Sequence, residues 1–148
     1  MNQPKTSIPQ NIFRFLLGAG MVMAALGHLT FQREEFQALV PNWVPINKDL
    51  VVILSGYLEL GLGLGILFFT KYKVYFGIAL AIFIILVFPG NITQYVNKTD
   101  AFGLDTDQKR LFRLFFQPVL ILWALWCTGA LKHLFSKKTR KQTSRLQQ

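Results

Sequence analysis

Apolar residues in this chain gather into four long runs, at about 12–30, 50–69, 74–95 and 111–131, with short polar stretches between them. A bilayer's hydrocarbon core is about 30 Å thick and takes about 20 helical residues to cross, so each run is long enough to span it. Lipid offers no partner to an unpaired backbone group, which makes helix the required form. The pattern predicts an all-α fold: an integral membrane four-helix bundle, one domain over 1–148, followed by a basic tail over 132–148. The short connection Thr70–Lys73 makes the second and third runs an antiparallel hairpin. A cleaved leader ending near Gly27 is the competing reading of the first run; it would leave three spans and break the charge balance described next.

Charge fixes an orientation. Apolar residues make up 52% of the chain and charged residues only 16%, against about a quarter charged in soluble domains. With four spans, the two termini and the Thr70–Lys73 turn share one side. That side carries Lys5, Arg14, Lys71, Lys73, Lys132, Lys137, Lys138, Arg140, Lys141 and Arg145 and no acid. On the other side Arg33, Lys48, Lys98, Lys109, Arg110 and Arg113 are balanced by Glu34, Glu35, Asp49, Asp100, Asp105 and Asp107. Excess Lys and Arg mark the cytoplasmic side, so both termini are expected to be cytoplasmic in a multi-pass protein of the cell membrane. The net charge of +9 is then mostly a topology signal. The Lys137–Arg145 stretch reads as a juxtamembrane segment against anionic headgroups, with the lipid bilayer and not nucleic acid as its partner.

Several chemistries are excluded. The single cysteine, Cys127, allows neither an internal disulfide nor a CxxC pair, and His28 and His133 are too far apart for zinc-finger spacing, so no metal site is expected. No haem, flavin or iron–sulfur signature is evident. The glycines of Gly61–Gly65 lie inside a span, where packing accounts for them better than a phosphate loop does.

Polar groups inside a span are costly and point to function or to interhelical pairing. Glu59 lies roughly 13 Å into the second run at 1.5 Å per residue. Ser55, Gly56, Glu59 and Gly63 share its helical face. Gly20, Ala24 and His28 form a second small-residue face, expected to be packed. Asn91 sits towards the outer end of the third run, and Arg113 and Gln117 lie one turn apart at the outer start of the fourth. With alternating helix direction, His28, Glu59, Asn91, Arg113 and Gln117 converge in the outer half of the bundle, as ligand-binding candidates. The inner half offers almost nothing comparable. Pro89 and Pro118 interrupt two spans at similar outer depth and free backbone carbonyls. Interhelical glue, through a Glu59–Arg113 or a Glu59–His28 pair, is the structural alternative for the cluster. In the first outer loop, Phe36, Leu39 and Val40 can form one face of a short helix, either a lid over the bundle mouth or a plain connector with Trp43 as its interfacial anchor. The third loop, 97–110, reads as a polar, mobile connector.

At these residues the chain resembles the DoxX-like family of small four-span membrane proteins, from about Phe13 to Leu131. The marks are Gly27-His28 followed by Phe31 and Phe36, the Pro41-Asn42-Trp43-Val44-Pro45 turn, Ser55-Gly56 with Glu59 and Gly63, Pro89 with Asn91, and Arg113 with Gln117. Where many relatives have a proline between the arginine and the glutamine, this chain has Phe115 and Phe116, with Pro118 following. The resemblance implies the four-span fold and, through the family's namesake, a subunit of a membrane thiosulfate–quinone oxidoreductase that works with a second subunit. The expected role is an accessory subunit of a quinone-linked oxidoreductase, binding a quinone or lipid headgroup in the outer-half polar cluster and taking electrons from a redox partner subunit. The alternatives are a non-enzymatic membrane binding or assembly protein, pairing with a partner helix or a second copy through faces such as Gly61-x-x-x-Gly65, and a small transporter.

Overall fold

The computed structural model describes residues 4–136; the basic stretch Lys137–Arg145 lies outside them. Its elements are α1 (Ile8–Leu29), α2 (Arg33–Leu39), α3 (Lys48–Phe68), a 3-10 turn (Thr70–Tyr72), α4 (Lys73–Val96) and α5 (Asp107–Cys127). Residues 130–136 are again helical, and no strand occurs among the described residues. Helices α1, α3, α4 and α5 are each long and apolar enough to cross a membrane.

Local chemistry sets boundaries that hydropathy does not register. α1 begins four residues before its apolar run because Ser7 and Gln10 form a reciprocal cap: Ser7 Oγ accepts from Gln10 N at 3.4 Å, and Gln10 Oε1 accepts from Ser7 N at 2.9 Å. α5 also starts four residues early, where Thr106 Oγ1 accepts from Lys109 N at 3.3 Å. Its first turn, Asp107–Arg110, is wholly polar and therefore invisible to an apolar-run criterion. At the other end the run 111–131 passes through a break. α5 stops at Cys127, and Gly129 takes φ +77°, the left-handed conformation that ends helices most easily at glycine.

α1 packs extensively on α3, and α4 on α5, with smaller contacts closing α1 to α5 and α3 to α4. The α1–α3 approach is set by glycine: a Cβ at Gly63 would stand 3.0 Å from Met21 Cβ and 3.1 Å from Gly18 O. The face that packs is therefore that of Gly18 and Met21. Gly20, expected in the interface, is exposed and has nothing within 4 Å of a built Cβ. Leu17, Met21, Ile66, Leu80, Ile84, Ala124 and Cys127 form the core. Leu54, Leu58, Ile85, Leu86, Phe112, Phe115 and Leu122 all point outward, and at most 39% of any span's apolar window is buried inside the protein. Apolar surface on that scale is not tolerated in water and suits contact with lipid chains.

Candidate functional site

Where α1, α3, α4 and α5 meet beneath α2, they enclose a cavity of about 380 Å³. His28, Glu59, Asn91, Arg113 and Gln117 all line it. The five positions singled out by depth and helical spacing thus meet in one place, one or two from each long helix.

His28 occupies the last turn of α1, and α3 comes close enough to meet it because residue 56 is glycine: a Cβ there would lie 2.9 Å from His28 Cβ. His28 Nε2 stands 3.0 Å from Glu59 Oε2, with the two side chains only 12% and 10% exposed. On the ring's other edge, Nδ1 lies 3.4 Å from Ser55 Oγ, which donates its own proton to Val52 O at 2.9 Å. Ser55 can then only accept from the ring, which assigns a proton to Nδ1. The Nε2–Oε2 contact is attractive when a proton lies on either atom, since a bare nitrogen lone pair facing a carboxylate is repulsive. That contact is not a linear hydrogen bond, and Oε2 is buried without an aligned donor.

Of the two pairings open to Glu59, the one with His28 forms and the one with Arg113 does not. Glu59 is taken by His28, and Arg113 instead places Cζ 4.6 Å from the ring centroid of Phe102, a cation–π arrangement. Phe102 packs edge-on to Phe36 at 4.6 Å, and Phe36 stacks on His28 at 3.4 Å and 19°. His28, Phe36, Phe102 and Arg113 thereby form a continuous stack, of which His28, Phe36 and Arg113 line the cavity. Sequence spacing gives no hint of Phe102, which lies in the third loop. That loop is pinned rather than loose: Ala101 is buried, Gln94 Nε2 reaches Thr99 O and Ala101 O at 3.4 Å each, and Arg110 pairs with Asp100 and Asp107. Phe102 itself adopts φ +58°, a left-handed backbone unusual for an aromatic residue, and its N–H donates to the Glu35 carboxylate of α2.

α2 covers the mouth. Phe36 and Leu39 line the cavity, together with Val40, Pro41 and Trp43 after it. Its position is fixed at both ends. Arg33 Nε and Gln37 Nε2 donate to Asp49 Oδ1 at 2.5 and 2.6 Å, and the Asp49 carboxylate raises the Arg33 guanidinium above its ordinary range through that hydrogen bond. At its end, Leu39 O lies 2.9 Å from where a Gly90 Cβ would be. Gly90 follows Pro89, which lines the cavity and whose carbonyl accepts from Thr93 Oγ1 at 2.9 Å. Pro118 is exposed and is not part of the lining.

Asn91 and Gln117 are buried at 5% and 9% exposure, and Gln117 Oε1, like Glu59 Oε2, has no hydrogen-bond donor. The rest of the lining is mainly aliphatic and aromatic. The cavity therefore combines a broad apolar wall with two buried acceptors and an exchangeable proton, a composition suited to an apolar ligand with a polar, hydroxyl- or carbonyl-bearing end.

No curated protein and no solved structure matches the chain. Residues 17–128, from the first core leucine of α1 past the end of α5 and including every one of the five cavity residues, match one family, and the chain belongs to it: the domain of unknown function DUF8561.

Proposed function

We propose that the chain crosses the cell membrane four times as a four-helix bundle with both termini in the cytoplasm. In this reading the cavity lies in the outer half and holds a quinone headgroup, the chain serving as an accessory subunit of a quinone-linked oxidoreductase of the DoxX type. The observation that carries the reading is two acceptors buried without an aligned donor in the lining of an otherwise apolar cavity: Gln117 Oε1, which has no partner, and Glu59 Oε2, which meets His28 Nε2 off-line at 3.0 Å. Leaving an acceptor such as Gln117 Oε1 unpaired costs about 1–3 kcal/mol. The hydroxyls of a reduced quinone would satisfy both, and the Gln117 amide N–H would serve the carbonyl of the oxidised form. The apolar walls fit its ring. Leu86 and Phe116 line the cavity and are also exposed on the flanks of α4 and α5, so entry from the bilayer is open to a lipid-soluble ligand. A quinone would supply two-electron, two-proton chemistry, with electrons delivered by a partner subunit. The protein's share is to bind the headgroup and to hold a proton between His28 and Glu59.

Trp43, a lining residue, reports on occupancy. A short-chain benzoquinone titrated into the purified protein is expected to quench its fluorescence saturably, with Trp43→Phe removing that component. Gln117→Leu should weaken binding about tenfold, the loss of one hydrogen bond to a buried group. Quenching that never saturates, or an unchanged Kd in Gln117→Leu, would refute the assignment.

A binding or assembly role is the second reading. Of the Gly61-x-x-x-Gly65 face, Gly65 is buried against Phe76, while Gly61 is exposed on α3 with nothing within 4 Å of a built Cβ and is the position open to another helix.

A further inference from the structure

At the opposite end of the helices, two cations are buried without an acid to match them. Arg14, in the second turn of α1, is 3% exposed, and Lys73, the first residue of α4, is 6% exposed. One Arg14 N–H reaches Ile66 O near the end of α3, while Nε is buried and has no partner. Lys73 Nζ donates to Thr6 Oγ1 at 2.8 Å. That bond ties Lys73 to the segment leading into α1, the helix that carries Arg14. Cys127 supplies no counter-charge, because it retains its thiol proton and directs it at Ala124 O, 3.6 Å away.

None of the chain's Asp or Glu side chains neutralises this pair. The seven acids are Glu34, Glu35, Asp49, Glu59, Asp100, Asp105 and Asp107. The one nearest in depth, Glu59, sits beside His28, fourteen residues along α1 from Arg14, or about 21 Å at 1.5 Å per residue. Helix dipoles give partial relief: Arg14 meets the carboxyl end of α3 at Ile66 O, but that end carries only about −0.5 charge, and the amino ends of α1 and α4 add about +0.5 each. Two positive charges are left in a region of low dielectric, where an unpaired charge is strongly unfavourable.

We propose that Arg14 and Lys73 form a binding site for a phosphate group, supplied by the headgroup of an anionic phospholipid or by free inorganic phosphate. Arg14 Nε is a planar donor of the kind that recognises phosphate oxygens, and the Lys73 ammonium adds a point charge at the same end of the helices. The segment 4–7 covers this end, bonded to Lys73 through Thr6 and resting by Pro4 against Gly129. The site is separate from the outer cavity and does not depend on the quinone reading.

Thermal unfolding of the purified full chain in neutral detergent tests it. The probes are micelles doped with phosphatidylglycerol, micelles doped with phosphatidylcholine, and sodium phosphate against sodium chloride at equal ionic strength. Phosphatidylglycerol is expected to raise the Tm by about 5 °C over phosphatidylcholine, as ligand binding to the folded state requires. Inorganic phosphate will match that rise if the group alone is recognised, and will fail to if the lipid is its source. Arg14→Gln with Lys73→Gln should abolish the rise, Lys73→Gln alone should at least halve it, and Lys71→Gln in the same turn should preserve it. If neither probe moves the wild-type Tm, or if Lys73→Gln keeps the full rise, the site does not exist.

Discussion

His28 Nε2 and Glu59 Oε2 stand 3.0 Å apart across the α1–α3 interface, a contact that is attractive when one proton lies on either atom. The pair joins two helices and lines the cavity, so its disruption should be felt in both stability and binding. Removing one partner of a buried pair costs about 3–5 kcal/mol; the single proton can move to keep Glu59 neutral, so His28→Ala is expected near the lower figure. Glu59→Gln, which keeps shape and one acceptor, should cost about 1 kcal/mol. In thermal unfolding the two changes together should depart from additivity by at least about 0.5 kcal/mol. Additive behaviour would mean the residues do not act as a pair.

Gly90 sets the height of α2 over the cavity. A Cβ there would meet a backbone carbonyl, Leu39 O, at 2.9 Å, and backbone cannot swing aside as a long side chain can. Gly90→Ala should therefore lift the end of α2. Cys127 is fully buried, so a cysteine placed in the lining by Ser55→Cys is the reactive thiol. Its labelling by a small maleimide is expected to run about tenfold faster with Gly90→Ala, equivalent to about 1.4 kcal/mol of easier local opening. Equal rates would show that α2 does not close the cavity.

The glycines separate packed from lipid-facing surface. Gly63→Leu should cost about 3 kcal/mol or prevent folding, because the added atoms meet Met21 and the Gly18 carbonyl. Gly20→Leu should change stability by less than about 0.5 kcal/mol, as substitutions away from contacts usually do. Gly61→Leu should be equally silent in the isolated chain. If it also changes the oligomeric state in size-exclusion chromatography with light scattering, the assembly reading gains at the expense of the cavity.

The spans and the meeting of the five polar residues could be read from the sequence, because depth needs only residue counting and the rise per residue. Helix rotation could not. Core and lipid are both apolar, so a membrane helix lacks the polar face that normally reveals which side is buried. That is why Gly20 and Gly18 look interchangeable in sequence and differ in the structure. The burial of Arg14 and Lys73 was not legible for a related reason: they fit the expected basic flank so well that nothing marked them as buried. The Phe36–Phe102–Arg113 stack depends on a loop conformation, φ +58° at Phe102, that no periodicity encodes.

The central claim is that Glu59 and Gln117 hold a polar ligand in the outer cavity. The most direct test is mass spectrometry of small molecules that co-purify in mild detergent with wild type, Glu59→Gln and Gln117→Leu, each confirmed monodisperse. A quinone near one equivalent in wild type, reduced in both folded variants, is the predicted result. Wild-type protein free of quinone, or variants that retain it undiminished, would contradict the account and leave the polar cluster as a lock between helices.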